Sequence, residues 1–166
     1  MLTYLTEYNV IPFDKPDYCS SLSNTRMLDS RNNFRFFHGG VTNPIDVRRC
    51  LKSHKIDTIF HFAAWSHVHL SFGNSYSVTK NNVYGIHVLL ESAKEARICR
   101  FFHISTDEVY DEVDKNADDL LEHSALVPTN PYAATKAAAK MMVTAYSRSY
   151  NLPVIMMRSN SVYGPH

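Results

Sequence analysis

The stretch CRFFHISTDEVY, residues 99–110, runs from continuous aromatic and aliphatic side chains through a hydroxyl pair into acids. Unbroken apolar character, in place of strict alternation, marks a strand covered by helices on both faces of a parallel sheet. YNVIPF (8–13), FRFFHGG (34–40), DTIFHFAA (57–64) and LPVIMMRSNSVY (152–163) share that character. Helix-like stretches separate them: Pro44 to Ser53, one or two helices from about Ser75 to Ala96, and a helix entered at Pro131 and running to about Tyr150. LLESAKEAR (89–97) has helical spacing and finishes on basic residues, which complement the negative helix end. Strands alternating with helices make a βαβ chain and an α/β fold. The acidic, aperiodic DEVDKNADDLLEHSALVPT (111–129) is expected to be an exposed loop after a strand.

A chain of 166 residues, 45% hydrophobic and 20% charged, fits one domain with a real core. With 17 basic against 16 acidic residues, nothing points to capture of nucleic acid or an acidic membrane surface. Cys19, Cys50 and Cys99 are odd in number, widely spaced and without a C-x-x-C pair, which excludes a disulfide framework and a zinc ribbon and leaves reduced thiols in a cytoplasmic setting. MLTYLTEYNV at the start has no basic n-region, and no apolar run approaches the ~20 residues of a membrane helix.

Four stretches carry chemistry-bearing residues. In NPYAATKAAAKMM (130–142), Asn130 is a good N-cap and Pro131 suits the first helical position. Tyr132 and Lys136 then share a helix face, with Cβ atoms roughly 5–6 Å apart. The positive helix end and the ammonium both favour phenolate, so the Tyr132 pKa is expected to be lowered. Such pairs are common on exposed helices, yet a lysine near the positive end opposes the dipole, so helix stability does not explain it. In Ser105-Thr106-Asp107-Glu108, adjacent carboxylates leave the carboxyl end of a strand, where α/β sheets build their sites; a solvated turn has the same pattern. If the strand continued, Thr106 and Glu108 would point to one side and Asp107 to the other; the onset of acids suggests that it turns instead.

HFAAWSHVHLS (61–71) begins in a strand, and its three histidines share parity. No third and fourth ligand stand at credible spacing from His67 and His69, so no metal is expected; small Ala63 and Ala64 suit close approach of a flat ligand. Asp14 follows an apolar strand, the place of a ribose-binding acid in a dinucleotide fold. The five glycines, Gly39, Gly40, Gly73, Gly85 and Gly164, assemble no G-x-G-x-x-G turn. Either the fold is of another kind, or its first βα unit is missing.

Taken in order, FDKPDYCSSL, HFAAWSHVHLSF, NNVYGIHVLLESAKEAR, STDEVY, NPYAATKAAA and RSNSVYGPH resemble the extended short-chain dehydrogenase/reductase family, and within it the dTDP-glucose 4,6-dehydratases of animal type. The resemblance spans nearly the whole chain. It implies a doubly wound Rossmann-like parallel sheet, bound NAD, a nucleotide-diphosphate sugar as substrate and a homodimer. It also implies roles. Tyr132 takes the proton of the sugar 4-hydroxyl as hydride leaves C4, with Lys136 tuning it and holding a ribose, and Thr106 hydrogen-bonds the same hydroxyl. Glu108 removes the C5 proton, Asp107 protonates the departing 6-hydroxyl, and hydride returns to C6. Asp14 and Lys15 match the adenosine ribose positions, Ala63, Ala64 and Asn81 other cofactor positions, and Ser66, Asn160 and Ser161 substrate positions.

Departures from the family pattern are as specific. The glycine-rich turn is absent, Gly39-Gly40-Val41 replaces Gly-Asp-Ile, and His67-Val68-His69 replaces His-Val-Asp. Arg158-Ser159-Asn160-Ser161 moves the substrate asparagine by one position. Residues 1–166 are thus expected to form a partial NAD-binding domain without the first strand, the sugar-nucleotide domain lying beyond it. With strand order 3-2-1-4-5-6, loss of the first strand opens the sheet at its centre and weakens NAD binding. Two other functions fit the same fold: a non-catalytic binding protein that pairs with a longer relative, and a nucleotide-sugar epimerase, against which Thr106-Asp107-Glu108 argues.

Overall fold

The computed structural model describes residues 7–16, 20, 25–28, 30–66, 72–110 and 120–160. Strand β1 (Phe13–Asp14) pairs in parallel with β2 (Phe37–His38), and an isolated bridge between Val10 and Phe34 extends their contact. A second parallel sheet has the order β3-β4-β5, from Thr58–His61, Arg100–Thr106 and Val154–Ser159. Among the described residues no strand joins β1 to β3.

Helix α1 (Pro44–Ser53) starts where the sequence places it: Asn43 Oδ1 accepts from the amides of Ile45 and Asp46, and Pro44 occupies the first turn. Helix α2 (Ser75–Thr79) continues through a π-helical turn (Lys80–Tyr84) into α3 (Gly85–Glu95). Helix α4 (Pro131–Tyr150) is capped by Asn130 and ends on Asn151 in the left-handed conformation, which asparagine tolerates better than most residues.

These helices pack on one face of the larger sheet. Val47 and Leu51 of α1, Ile86, Leu90 and Ala93 of α3, and Ala139 and Val143 of α4 meet Ile59 and Phe101, and Phe13 joins the smaller sheet to this core. The opposite face is bare among the described residues. Phe60 stacks on Phe102 with ring centroids 4.3 Å apart, while Phe62, Ile155 and Met157 are exposed. The continuous apolar runs were expected to be covered on both sides; in β5 the burial instead alternates.

On the covered face the core turns polar toward the carboxyl ends of the strands. His61 of β3 and His103 of β4 are register partners with ring centroids 5.4 Å apart, and His103 is fully buried. Burial, then the nearby Lys136 ammonium, lowers the His103 pKa from 6.5 to about 3, and burial drives His61 down as well. A depressed folded-state value makes this contribution to stability complete above 6.5 and lost as pH falls toward 3. Unfolding by urea at neutral pH and near pH 5 is therefore expected to show marked acid destabilisation, by up to about 1.4 kcal/mol per pH unit for each histidine kept neutral. His103→Leu should remove the His103 share of that dependence and leave the His61 share.

Candidate active site

Strand β4 delivers the first part of the site. It ends at Thr106, whose Oγ1 accepts from the Glu108 amide at 3.3 Å and caps a single 3-10 turn, Asp107–Val109. The strand therefore turns, and Asp107 and Glu108 are both exposed at its carboxyl end in place of splitting across the sheet. The Thr106 hydroxyl also donates to Asp107 Oδ1 at 3.1 Å.

Helix α4 delivers the second part. Asn130 Oδ1 accepts from the Ala133 amide at 2.8 Å, while its Nδ2 donates to Glu108 Oε2 at 3.2 Å. One residue thus caps the helix and orients the carboxylate, which the sequence reading of Asn130 as a cap alone does not contain. Tyr132 lies in the first turn, 8% exposed, and Lys136 one turn further is 4% exposed. The Lys136 ammonium donates to the Ile104 carbonyl at 2.6 Å, and burial lowers its pKa to about 8.

The tuning of Tyr132 departs from expectation. Its pKa is raised: burial contributes most, followed by the charges of Glu108 and Asp107, and hydrogen bonding with Thr106 acts the other way. The helix end and the lysine were expected to lower it. The site instead places the phenol in a half-apolar setting beside two acids, with the ammonium bound to a backbone carbonyl.

Residues matched to a cofactor lie along the same strand ends. Asp14 closes β1 and Lys15 follows it, both exposed, and the Gly39 amide donates to the Asp14 carbonyl at 3.0 Å. A Cβ at Gly39 would stand 2.5 Å from the Phe13 ring, so only glycine allows that approach. Ala63 and Ala64 are half-buried after β3, and Ser66 is exposed. Asn160 is exposed after β5, whereas Ser161, His67 and His69 lie outside the described residues. An acid after β1 and small residues after β3 fit the riboses and ring of a dinucleotide; no glycine-rich turn for a pyrophosphate is found among the described residues.

The most connected side chain is one that the sequence reading passes over. Asn81, matched to the cofactor, is half-buried and donates to the neighbouring Asn82. Asn82, 3% exposed in the π turn, accepts from the Trp65 amide at 2.8 Å and donates to the Trp65 carbonyl and to Thr135 Oγ1. Thr135 in turn donates to the Tyr132 carbonyl at 2.7 Å. A single amide thereby ties the segment after β3 to the turn that carries Tyr132. No local signal separates Asn82 from Asn81, because the π turn that shifts the helix phase is not written in the apolar spacing.

The GDP-mannose 4,6 dehydratase family model matches residues 2–166. Over 162 residues the chain is 53% identical to an Arabidopsis thaliana trifunctional UDP-glucose 4,6-dehydratase/UDP-4-keto-6-deoxy-D-glucose 3,5-epimerase/UDP-4-keto-L-rhamnose-reductase, covering 96% of this chain and 24% of that protein. It is 45% identical to the Homo sapiens dTDP-D-glucose 4,6-dehydratase, covering 96% of this chain and 45% of that one. The crystal structure of dTDP-glucose 4,6-dehydratase from Bacillus anthracis in complex with NAD superposes with a TM-score of 0.88 at 32% identity, over 99% of this chain and 50% of the other. The chain thus spans half or less of the length of these relatives. NAD is the cofactor of that family, and the strand order, the site geometry and the family match together make this chain a member of the GDP-mannose 4,6 dehydratase family of extended short-chain dehydrogenases/reductases.

Proposed function

We propose that the chain carries the catalytic residues of a cytoplasmic, NAD-dependent 4,6-dehydratase acting on a nucleotide-diphosphate glucose. Residues 1–166 form part of its NAD-binding domain, with the nucleotide-sugar domain outside them. The observation that carries this reading is the placement of Tyr132 and Thr106 beside an exposed acid pair, with Asn130 joining Glu108 to the helix of Tyr132. Oxidation alone needs only the tyrosine; loss of water needs an acid and a base as well.

Tyr132 takes the proton of the sugar 4-hydroxyl, and Thr106 orients that hydroxyl. Lys136 supplies positive charge beneath the phenolate as it forms, and its free ammonium donors would hold a ribose. NAD would supply the hydride-accepting and hydride-donating chemistry beside Tyr132 and Lys136. With C4 a carbonyl the C5 hydrogen is acidic, and Glu108, steadied by Asn130, removes it. Asp107 gives its proton to the 6-hydroxyl, which leaves as water while a C5–C6 double bond forms, and Glu108 gives its proton back to C5 as C6 is reduced. Asp14 and Lys15 would meet the adenosine ribose, Ala63, Ala64 and Asn81 the remainder of the cofactor, and Ser66, Asn160 and Ser161 the substrate.

Incubation with NAD and either UDP-glucose or dTDP-glucose, read by mass spectrometry for loss of one water from the sugar, tests the reading. Tyr132→Phe should abolish product. Glu108→Gln should lower turnover about 10²–10⁴-fold and leave a 4-keto sugar that still carries its 6-hydroxyl, with reduced cofactor absorbance building up. Equal loss of oxidation and dehydration in Glu108→Gln would sink the assignment of Glu108.

A second reading, a non-catalytic protein that pairs with a longer relative, draws support from the lack of a strand between β1 and β3 among the described residues. Calorimetric titration with NAD separates the two, since only the first requires binding. Either reading accommodates a dimer through the side of α2, α3 and α4, where Tyr76, Tyr84 and Met141 are exposed. A dimer mass in light scattering that becomes monomeric in Tyr84→Glu is the expected outcome.

Asn82→Ala removes the link between Trp65 and Thr135. It should lower stability by about 1–3 kcal/mol, the cost of leaving buried polar groups unpaired. Asn81→Ala should leave thermal stability unchanged.

A further inference from the structure

On the covered face of β4, three buried polar atoms have no hydrogen-bond partner: both ring nitrogens of His103 and the hydroxyl of Ser105. Residues two apart on a strand point to the same side, so these groups flank Ile104. Ile104 is the residue whose carbonyl receives the Lys136 ammonium at 2.6 Å. That ammonium is buried and, among the described residues, forms no ion pair with a carboxylate. A buried charge without a counter-ion needs further polar partners, and an ammonium has three donors, of which Ile104 takes one.

The other charged or titratable groups around this position do not fill that need. His61 from β3 stacks on His103 and is itself driven neutral. Tyr132, on the helix of Lys136, faces Thr106, Asp107 and Glu108. Arg158 from β5 is the register partner of Ser105, a second cation whose Nη1 is directed to Tyr110 and the Glu122 carbonyl. Asn82, from the π turn, is committed to Trp65 and Thr135.

We propose that His103 is a positioning residue for Lys136: its neutral imidazole, backed by His61 and aided by Ser105, is the second acceptor that keeps the buried ammonium charged and aimed at the site. With no direct partner for either ring nitrogen, the lone pair would reach the ammonium through one water. An acceptor that itself took a proton would repel the lysine, which is why the histidine is seated where burial forbids its charging. The inference rests on the reading of Tyr132 and Lys136 as the redox pair, but its test reads no turnover, so the two fail separately.

The test is nuclear magnetic resonance on the whole chain labelled with 15N-histidine, with His103→Gln assigning the resonances. The His103 nitrogens should remain those of a neutral ring from pH 6 upward and show a small inflection where Lys136 titrates, at about 8. Lys136→Met should remove that inflection. In parallel, competitive amine labelling with peptide mapping gives the Lys136 pKa. His103→Leu should lower it by about one unit, because an apolar neighbour disfavours the charged form, while His103→Gln, which retains an uncharged acceptor, should keep it. A Lys136 pKa that is the same in the leucine variant, with only the melting temperature changed, overturns the proposal and leaves His103 a packing residue. Should the leucine variant not fold, the wild-type inflection decides: its absence overturns the proposal and its presence, lost in Lys136→Met, supports it.

Discussion

The 2.6 Å hydrogen bond from Lys136 Nζ to the Ile104 carbonyl fastens helix α4 to the carboxyl end of β4, and the geometry of the site follows from it. It fixes the rotation of the helix about its axis, and with that the face on which Tyr132 stands one turn away. It also commits a long cationic side chain to the interior, where burial pulls its pKa down to about 8. Its printed partner is a carbonyl, and the histidines that feel its charge, His61 and His103, are both driven toward the neutral form. A carboxylate there would form a buried ion pair and draw the charge away from Tyr132. The polar layer instead lets the ammonium persist without cancelling its field.

Among the described residues no strand links β1 to β3, and helix packing bridges the two parts. The β1–β2 pair and the three-stranded sheet share no ladder, and they are held in one body by Phe13 reaching into the core that α1, α3 and α4 form with β3 and β4. Hydrophobic packing on one face can unite the pieces because it is non-directional and needs no register. It does not rebuild the ladder edge, and it leaves Phe60, Phe62, Ile155 and Met157 facing outward. In this architecture the acids follow a strand of the three-stranded sheet, and the lysine and tyrosine stand on the helix packed against it. Asp14 stands on the separate pair, so the two ends of a dinucleotide would span the two sheets.

Much of this was legible in the sequence because it rests on local chemistry. Asn130-Pro131 announces a helix start to the residue, since capping uses a side chain and an adjacent fixed φ, and Pro44 marks another whose Asn43 cap the structure adds. The turn after Thr106 is signalled by the arrival of acids. What was not legible depends on contacts distant in sequence. The π turn gives no apolar signature, so Asn82 was passed over for its neighbour. The bare face of β5 was hidden because apolar residues on both sides of a strand read alike whether or not a helix covers them. The second role of Asn130, on Glu108, appears only when β4 and α4 are brought together.

The raised Tyr132 pKa belongs to the same class of non-local effect, and it exposes a conflict built into the chemistry. An enzyme that only oxidises an alcohol needs a phenolate and can surround it with positive charge. One that also expels water must keep two carboxyl groups beside the same phenol, and each of them opposes its ionisation. Burial of the ring adds to that opposition. The helix N-terminus alone offers partial charge that decays within a turn, too little to offset two nearby acids. A full charge beneath the phenol is required, and it must not be neutralised by a counter-ion of its own. The buried seat of Lys136 on the Ile104 carbonyl, with no ion pair to it among the described residues, supplies that condition, and it ties the acid pair to the polar groups under α4.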